Sequence, residues 1–143
     1  MAKRILVPLG GRDRDELIVP LLAALGRDAG ATLRLLRVFP VPEMVVAPNR
    51  RVVAYVDQQM ARLSATGMTH LKTVESRFNG VAMESVVRFG EPVEEILLEA
   101  DAFGADLIAL STSARSQLKR AFAPGVAARV ARKAQVPILL LRE

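Results

Sequence analysis

The sequence predicts an α/β fold, a parallel sheet covered on both faces by helices. Three observations predict it. Five short apolar runs, at Arg4 to Leu9, Thr32 to Phe39, Val81 to Phe89, Asp106 to Leu110 and Val136 to Leu141, alternate with four stretches of helical periodicity. The first run, RILVPL, is apolar almost throughout, as a strand buried on both faces is. Gly and Pro punctuate the boundaries between runs. Strict alternation of this kind implies right-handed crossovers between parallel strands.

The elements follow in order. Arg4 to Leu9 forms a first strand with Pro8 near its end, where a lost ladder donor is tolerated, and Gly10-Gly11 turns the chain. Asp13 and Glu16 have the spacing of a capping box. Leu17, Ile18, Leu21, Leu22 and Leu25 then recur at helical spacing to Ala29. Pro20 inside that pattern requires a kink or a late start, and Gly30 suits the position after the helix. Thr32 to Phe39 is the second strand, with Arg34 and Arg37 requiring at least one exposed end. Pro40 to Asn49 is a Val/Pro/Met-rich loop, read either as a lid or partner surface or as a plain connection.

A long helix runs from Asn49 or Arg50 to about Ser76, with Gly67 a weak point in it. His70, the single histidine, is expected at an exposed helix position. Val81 to Phe89 is the third strand. Pro92 takes the first helical position of a helix whose apolar face is Val93, Ile96, Leu97, Ala100 and Phe103, and Gly104 ends it. Asp106 to Leu110 is the fourth strand. Phe122, Val126, Val130 and Ala134 give a fourth helix face, and Val136 to Leu141 the fifth strand.

Composition limits the function. The 143 residues predict one domain, 1–143. Aromatics are 4% of the chain, so aliphatic side chains must fill the core. The absence of Cys excludes disulfides and thiolate metal sites. No apolar run approaches the ~20 residues of a membrane span, and the apolar run after Met1 is too short for a signal-peptide core. A cytoplasmic protein is expected. The net charge of +5 raises nucleic-acid binding. The Lys and Arg residues are spread along the chain, however, without aromatic interleaving, and a solvated surface is the simpler reading. No catalytic set is visible. The serines have no histidine near them in sequence, and Glu94-Glu95 fall on a helix surface where salt pairing is expected.

The chemistry concentrates in Asp106 to Val126, DLIALSTSARSQLKRAFAPGV. An apolar strand opens into a loop of small, hydroxyl-bearing and basic residues, then a helix begins. Strand, small-residue loop and helix N-terminus form the geometry in which backbone N–H groups face an anion.

At this point the chain resembles the universal stress protein family over essentially all of its length. ILVPLGG resembles that family's first strand, FGEPVEEILLEADAFGADLIAL its strand-helix-strand, and GVAARVARKAQVPILLLR its last helix and strand. The resemblance implies a Rossmann-like open sheet in the order 3-2-1-4-5. It also implies a homodimer through the last strand, Val136, Ile138, Leu139, Leu140 and Leu141, with Pro137 facing outward and mixed dimers with sister proteins possible at the same edge. Many members bind ATP after the fourth strand through glycine, two residues, glycine, nine residues, glycine and Ser or Thr. Here Ser111 and Ala114 stand at the first two glycines, and Pro124-Gly125 at the third glycine and its hydroxyl residue. Gly10 stands where the family carries an aspartate that contacts the nucleotide. If a nucleotide or anion is held, the implied residues are Gly10, Val38, Ser111, Ala114, Arg115, Gly125 and Val126.

These departures have physical consequences. A Cβ in the left-handed region costs about 1 kcal/mol, and Pro124 lacks a backbone donor. Two lost hydrogen bonds to charged oxygens, at roughly 1.5–3 kcal/mol each, weaken binding by about 10²- to 10⁴-fold. The expectation is therefore a dimeric, non-enzymatic stress protein that does not hold ATP, without a bound cofactor, membrane association or nucleic acid. The alternative is a nucleotide- or small-anion-binding module, with slow ATPase activity, that uses Ser111, Thr112, Ser113 and Ser116 with Arg115, Lys119 and Arg120.

Overall fold

The computed structural model describes residues 3–10, 18–42, 51–112 and 125–142. Its elements are β1 (Arg4–Leu9), α1 (Val19–Ala29), β2 (Thr32–Phe39), α2 (Arg51–Glu75), β3 (Ala82–Phe89), α3 (Pro92–Phe103), β4 (Leu107–Thr112), α4 (Val126–Lys133) and β5 (Ile138–Arg142). All four ladders are parallel and the sheet order is β3-β2-β1-β4-β5. The fold class and order are those expected. The boundaries shift by a few residues: β3 starts one residue later, β4 runs two residues further, and β5 begins after Pro137.

Alternation along the strands builds two cores, one on each face. Ile5, Val7, Leu33, Leu35 and Ala109 point to the face covered by α1 and α2, where Leu22, Leu71 and Val74 meet them. Leu6, Leu36, Ile108 and Leu110 point to the other face, under Val93, Ile96, Phe103, Val126 and Val130 of α3 and α4. β1 is the pivot, buried from Ile5 to Leu9.

Helix ends follow their local chemistry. Pro20 forces a late start: α1 begins at Val19 with Pro20 in its first turn and no side-chain cap on Ile18. The Asp13–Glu16 capping box lies outside the described residues. Gly67, expected as a weak point, is instead a packing site. A Cβ there would stand 2.7 Å from Cε2 of Phe39, so its absence lets the Phe39 ring rest against α2, and that ring also stacks on Phe89 at 5.8 Å. His70 is half-buried, not exposed, because α2 packs on the sheet along this stretch.

Ionic contacts fasten the margins. Glu99 of α3 is 3% exposed and receives Arg34 of β2 at 2.6 Å and Arg88 of β3 at 2.8 Å. Arg34 also reaches Glu84, Arg88 also reaches Glu95, and the Arg34 guanidinium lies 4.1 Å from the centroid of the Phe103 ring. Burial alone would lower the Arg34 pKa, but its hydrogen bonds to Glu99 and Glu84 hold the guanidinium above its ordinary value. Asp106, just before β4, accepts the backbone N–H of Lys3 at 2.8 Å and that of Arg4 at 3.1 Å. Its own N–H donates to the Arg4 carbonyl. This carboxylate closes the seam between β1 and β4.

Burial alone would raise the Asp106 carboxyl, but the two backbone donors hold it below the usual range. A carboxyl whose folded pKa is depressed contributes its full stabilisation above the unfolded pKa and loses it as pH falls through the folded one. Asp106→Asn is expected to lower stability by about 1 kcal/mol at neutral pH. The gap from the parent chain should narrow toward about pH 3, as urea denaturation at both pH values will show.

Candidate functional site

The order of strands reverses between β1 and β4, and in such sheets ligands bind beyond the carboxyl ends at that point. There the pairing of β1 with β4 ends early. The register pairs between β1 and β4 are Ile5↔Leu107 and Leu6↔Ile108, whereas β1 runs on to Leu9 and β4 to Thr112. The reason lies in Pro8. The Lys3 carbonyl accepts from Thr32 of β2 and the Arg4 carbonyl from Asp106 beside β4, so odd residues of β1 face β2 and even ones face β4. Pro8 therefore lacks its donor on the β4 side, and the ladder stops short of it.

Around this end of the ladder the structure gathers part of the expected set. Gly10 follows β1 and is buried. The β1–β2 register, Leu9↔Arg37, brings it level with Val38. Carrying the β1–β4 offset forward brings Leu9 level with Ser111. Val38 contributes main chain only, because its side chain is 7% exposed and packs with Leu36 in the core. Ser111 is half-buried, on the face opposite to that of Leu110. Val126 is 2% exposed and anchors the first turn of α4, so it too is a packing residue. Ala114 and Arg115 lie outside the described residues, as do Ser113, Ser116, Lys119, Arg120, Phe122 and Pro124. Of the Pro40 to Asn49 loop only Pro40, Val41 and Pro42 are described, with Val41 exposed.

All four helices begin at this end of the sheet, and α3 and α4 are the two on the face of Leu110. At α3 the anion is supplied internally: Glu91 caps the helix, accepting the Glu94 N–H at 2.8 Å, with Arg129 of α4 at 3.3 Å. That hydrogen bond first, then one from the Val93 N–H and the charge of Arg129, hold the Glu91 carboxyl below the usual range against its partial burial. At α4 the cap is Gly125, at φ 82° and ψ 4°, with no side-chain hydrogen bond. An N-cap is ordinarily an extended Ser, Thr, Asp or Asn whose oxygen holds an N–H of the first turn. Gly125 supplies no oxygen and occupies a left-handed conformation that a residue with Cβ adopts at a cost.

At the other end of the sheet, a cleft of about 420 Å³ lies between α3 and the start of β5, walled by Leu97, Ile108 and Val136 and rimmed by Asp101, Lys133 and Gln135. Among the described residues no cluster of His, Asp and Glu is suited to a metal ion, and no helix is long and apolar enough to cross a membrane.

The expected pairing edge is only partly presented by β5. Val136 precedes the strand and packs, with Ile138, against the α3/α4 core. Leu139 packs against the opposite core and Leu141 is 8% exposed. Leu140 is 50% exposed. The Pro137 residue is exposed, but its backbone is turned toward β4 and not to the outer edge: its carbonyl accepts the Ile108 N–H at 3.1 Å. By alternation the backbone groups of Ile138, Leu140 and Arg142 face away from β4, so the missing donor of Pro137 costs the outer edge nothing.

Sequence reasoning missed the Asp106 clamp and the Glu99 hub. Both had a signal: an acid at the threshold of a strand, and a Glu inside the apolar spacing of Ile96, Ala100 and Phe103.

A model of the universal stress protein family matches residues 1–142. Among solved structures, the hypothetical protein MJ0577 superposes with a TM-score of 0.80 at 20% identity, covering 99% of this chain and 96% of that one. UspA from Lactobacillus plantarum gives 0.69 at 19%, covering 98% and 97%. A universal stress protein from Archaeoglobus fulgidus in complex with dAMP gives 0.61 at 18%, covering 96% of each, and another universal stress protein, in complex with cAMP, gives 0.65 at 18%, covering 98% and 97%. No curated protein matches the chain.

Gly125→Ser adds a Cβ at φ 82° with no described atom within 4 Å of it, so the cost is in the backbone and not in packing. The substitution is expected to destabilise by about 1 kcal/mol, lowering the melting temperature by roughly 3 °C. A higher melting temperature would mean that the serine caps α4 in an extended conformation.

Proposed function

The chain belongs to the universal stress protein family, matched over residues 1–142, and from that premise we propose that it is a non-enzymatic stress-response protein. It works through protein contacts, as a homodimer paired along β5, and does not hold ATP. The observation that carries this reading is Gly125. At the position where the family's ATP loop supplies Ser or Thr, the first turn of α4 is capped by a left-handed glycine with no side-chain donor. Ser111, Ala114 and Pro124 at the three glycine positions of that loop agree with it. At the edge of the sheet, the outward backbone groups of β5 and the exposed Leu140 support the pairing.

A second reading is a nucleotide- or small-anion-binding module with slow ATPase activity. It draws on two relatives whose structures contain cAMP and dAMP, and on the hydroxyls and cations between Ser111 and Arg120.

Isothermal titration with ATP and Mg²⁺ separates the two. No saturable heat corresponding to a Kd below about 100 μM is expected, and saturable binding in that range overturns the first reading. Restoring the loop with Ser111→Gly, Ala114→Gly, Pro124→Gly and Gly125→Ser together is expected to bring binding into the measurable range.

For the dimer, Leu140→Lys is the informative substitution, because Leu139 is packed in the core and a charge there would test folding. Sedimentation should show Leu140→Lys as a monomer at concentrations where the parent chain is a dimer. An unchanged dimer places the interface elsewhere.

A further inference from the structure

The two helices on one face of the sheet carry opposite charge. α3 holds Glu94, Glu95, Glu99 and Asp101 and no Lys or Arg, whereas α4 holds Arg129, Arg132 and Lys133 and no Asp or Glu. Where these helices end, at the sheet end away from Gly10 and Ser111, the cleft of about 420 Å³ opens between them. Its floor is aliphatic: Ile108 of β4 is fully buried, with Leu97 and Val136 beside it. The hollow is left by short side chains, Ala100 on α3 and Ala134 just after α4.

The rim carries one carboxylate, Asp101, one ammonium, Lys133, and one amide, Gln135, all exposed. Neither charge makes an ion pair with another described residue, and Lys133 acts on Glu91 only through space. Two helix C-termini add partial negative charge here, which favours a cation and opposes an anion. Among the described residues no aromatic side chain lines the cleft, so a nucleobase finds no stacking surface. The volume is that of a site for a small molecule.

These features select by elimination. A polyanion meets a single cation and two negative helix ends. A simple cation is opposed by Lys133, and a hydrocarbon leaves both charges unused. A zwitterion with a short aliphatic body meets floor and rim together. We propose that this cleft binds a small aliphatic α-amino acid, with its ammonium toward Asp101 and the helix ends, its carboxylate toward Lys133 and Gln135, and its side chain over Ile108. The occupant bridges the end of α3 to the turn between α4 and β5. The site uses none of the outward backbone groups of β5 and none of the residues around Gly10 and Ser111. It is therefore independent of the dimer and of the vacancy for ATP.

The test is a nuclear magnetic resonance titration of the isotope-labelled full chain with L-leucine, up to about 10 mM. Saturable shifts are expected at the backbone amides of Leu97, Asp101, Gly104, Gln135 and Val136. Three analogues each remove one feature: glycine lacks the aliphatic body, isopentylamine the carboxylate and isocaproate the ammonium. Each should bind at least threefold more weakly than leucine, the scale of a partly exposed charge pair. Leucine should lose affinity to the same degree in Asp101→Asn and in Lys133→Gln, whose folds are checked by circular dichroism. Should a variant fail to fold, the analogue series decides. The absence of saturable shifts, or shifts confined to other parts of the chain, overturns the proposal. Isopentylamine or isocaproate binding as tightly as leucine reduces the cleft to a cation or an anion site, and equal binding of glycine removes the role of the floor; each overturns it too. So does unchanged leucine affinity in both variants, or ATP shifting these same amides at lower concentration than leucine.

Discussion

The two halves of this sheet meet only through β1. β2 and β3 hang on one side of it, β4 and β5 on the other, and no hairpin ties them. A parallel sheet closes each strand pair through a helical crossover, so the pairing along β1 has to be specified by β1 and its immediate neighbours. Its side chains from Ile5 onward are withdrawn from water, which makes register a matter of burial: a one-residue slip would turn both cores inside out. Asp106 adds a fixed point. By holding the N–H groups of Lys3 and Arg4 it pins the start of β4 to the start of β1.

The second organising contact is the carboxylate of Glu99. An aliphatic core of Leu, Ile, Val and Ala is permissive in shape, and α3 has few aromatic side chains to key its position over the sheet. Two arginines from adjacent strands converging on one buried carboxylate supply that orientation. Such an arrangement adds little net stability, because the ions must leave water, but removing one partner leaves an uncompensated charge. Gly67 plays a comparable part on the other face, where a missing Cβ sets how closely α2 meets the end of β2.

Much of the fold was legible because period and punctuation agreed with each other. β1 and β2 have the expected bounds, and Gly30 and Gly104 take left-handed conformations at the ends they were expected to close. What was not legible depends on pairs distant in sequence. Nothing local says that Arg34 and Arg88 meet at Glu99, or that Gly67 is spaced for the ring of Phe39. His70 was read as exposed because the period of α2 is blurred by its length, and Pro137 as outward because strand parity is invisible until one hydrogen bond is known. At the site, Gly10, Val38 and Ser111 do lie at the same end of the sheet, yet Val38 and Val126 face the core. A motif position specifies where the main chain passes, and the side chain there can belong entirely to packing.

Pro8 separates two things that are usually confounded. The early end of the β1–β4 ladder follows from a ring closed on its own nitrogen, within a strand. It is set by a residue of the scaffold, so the loop after β4 can change its sequence while the reversal of strand order at β1 and β4 stays the same.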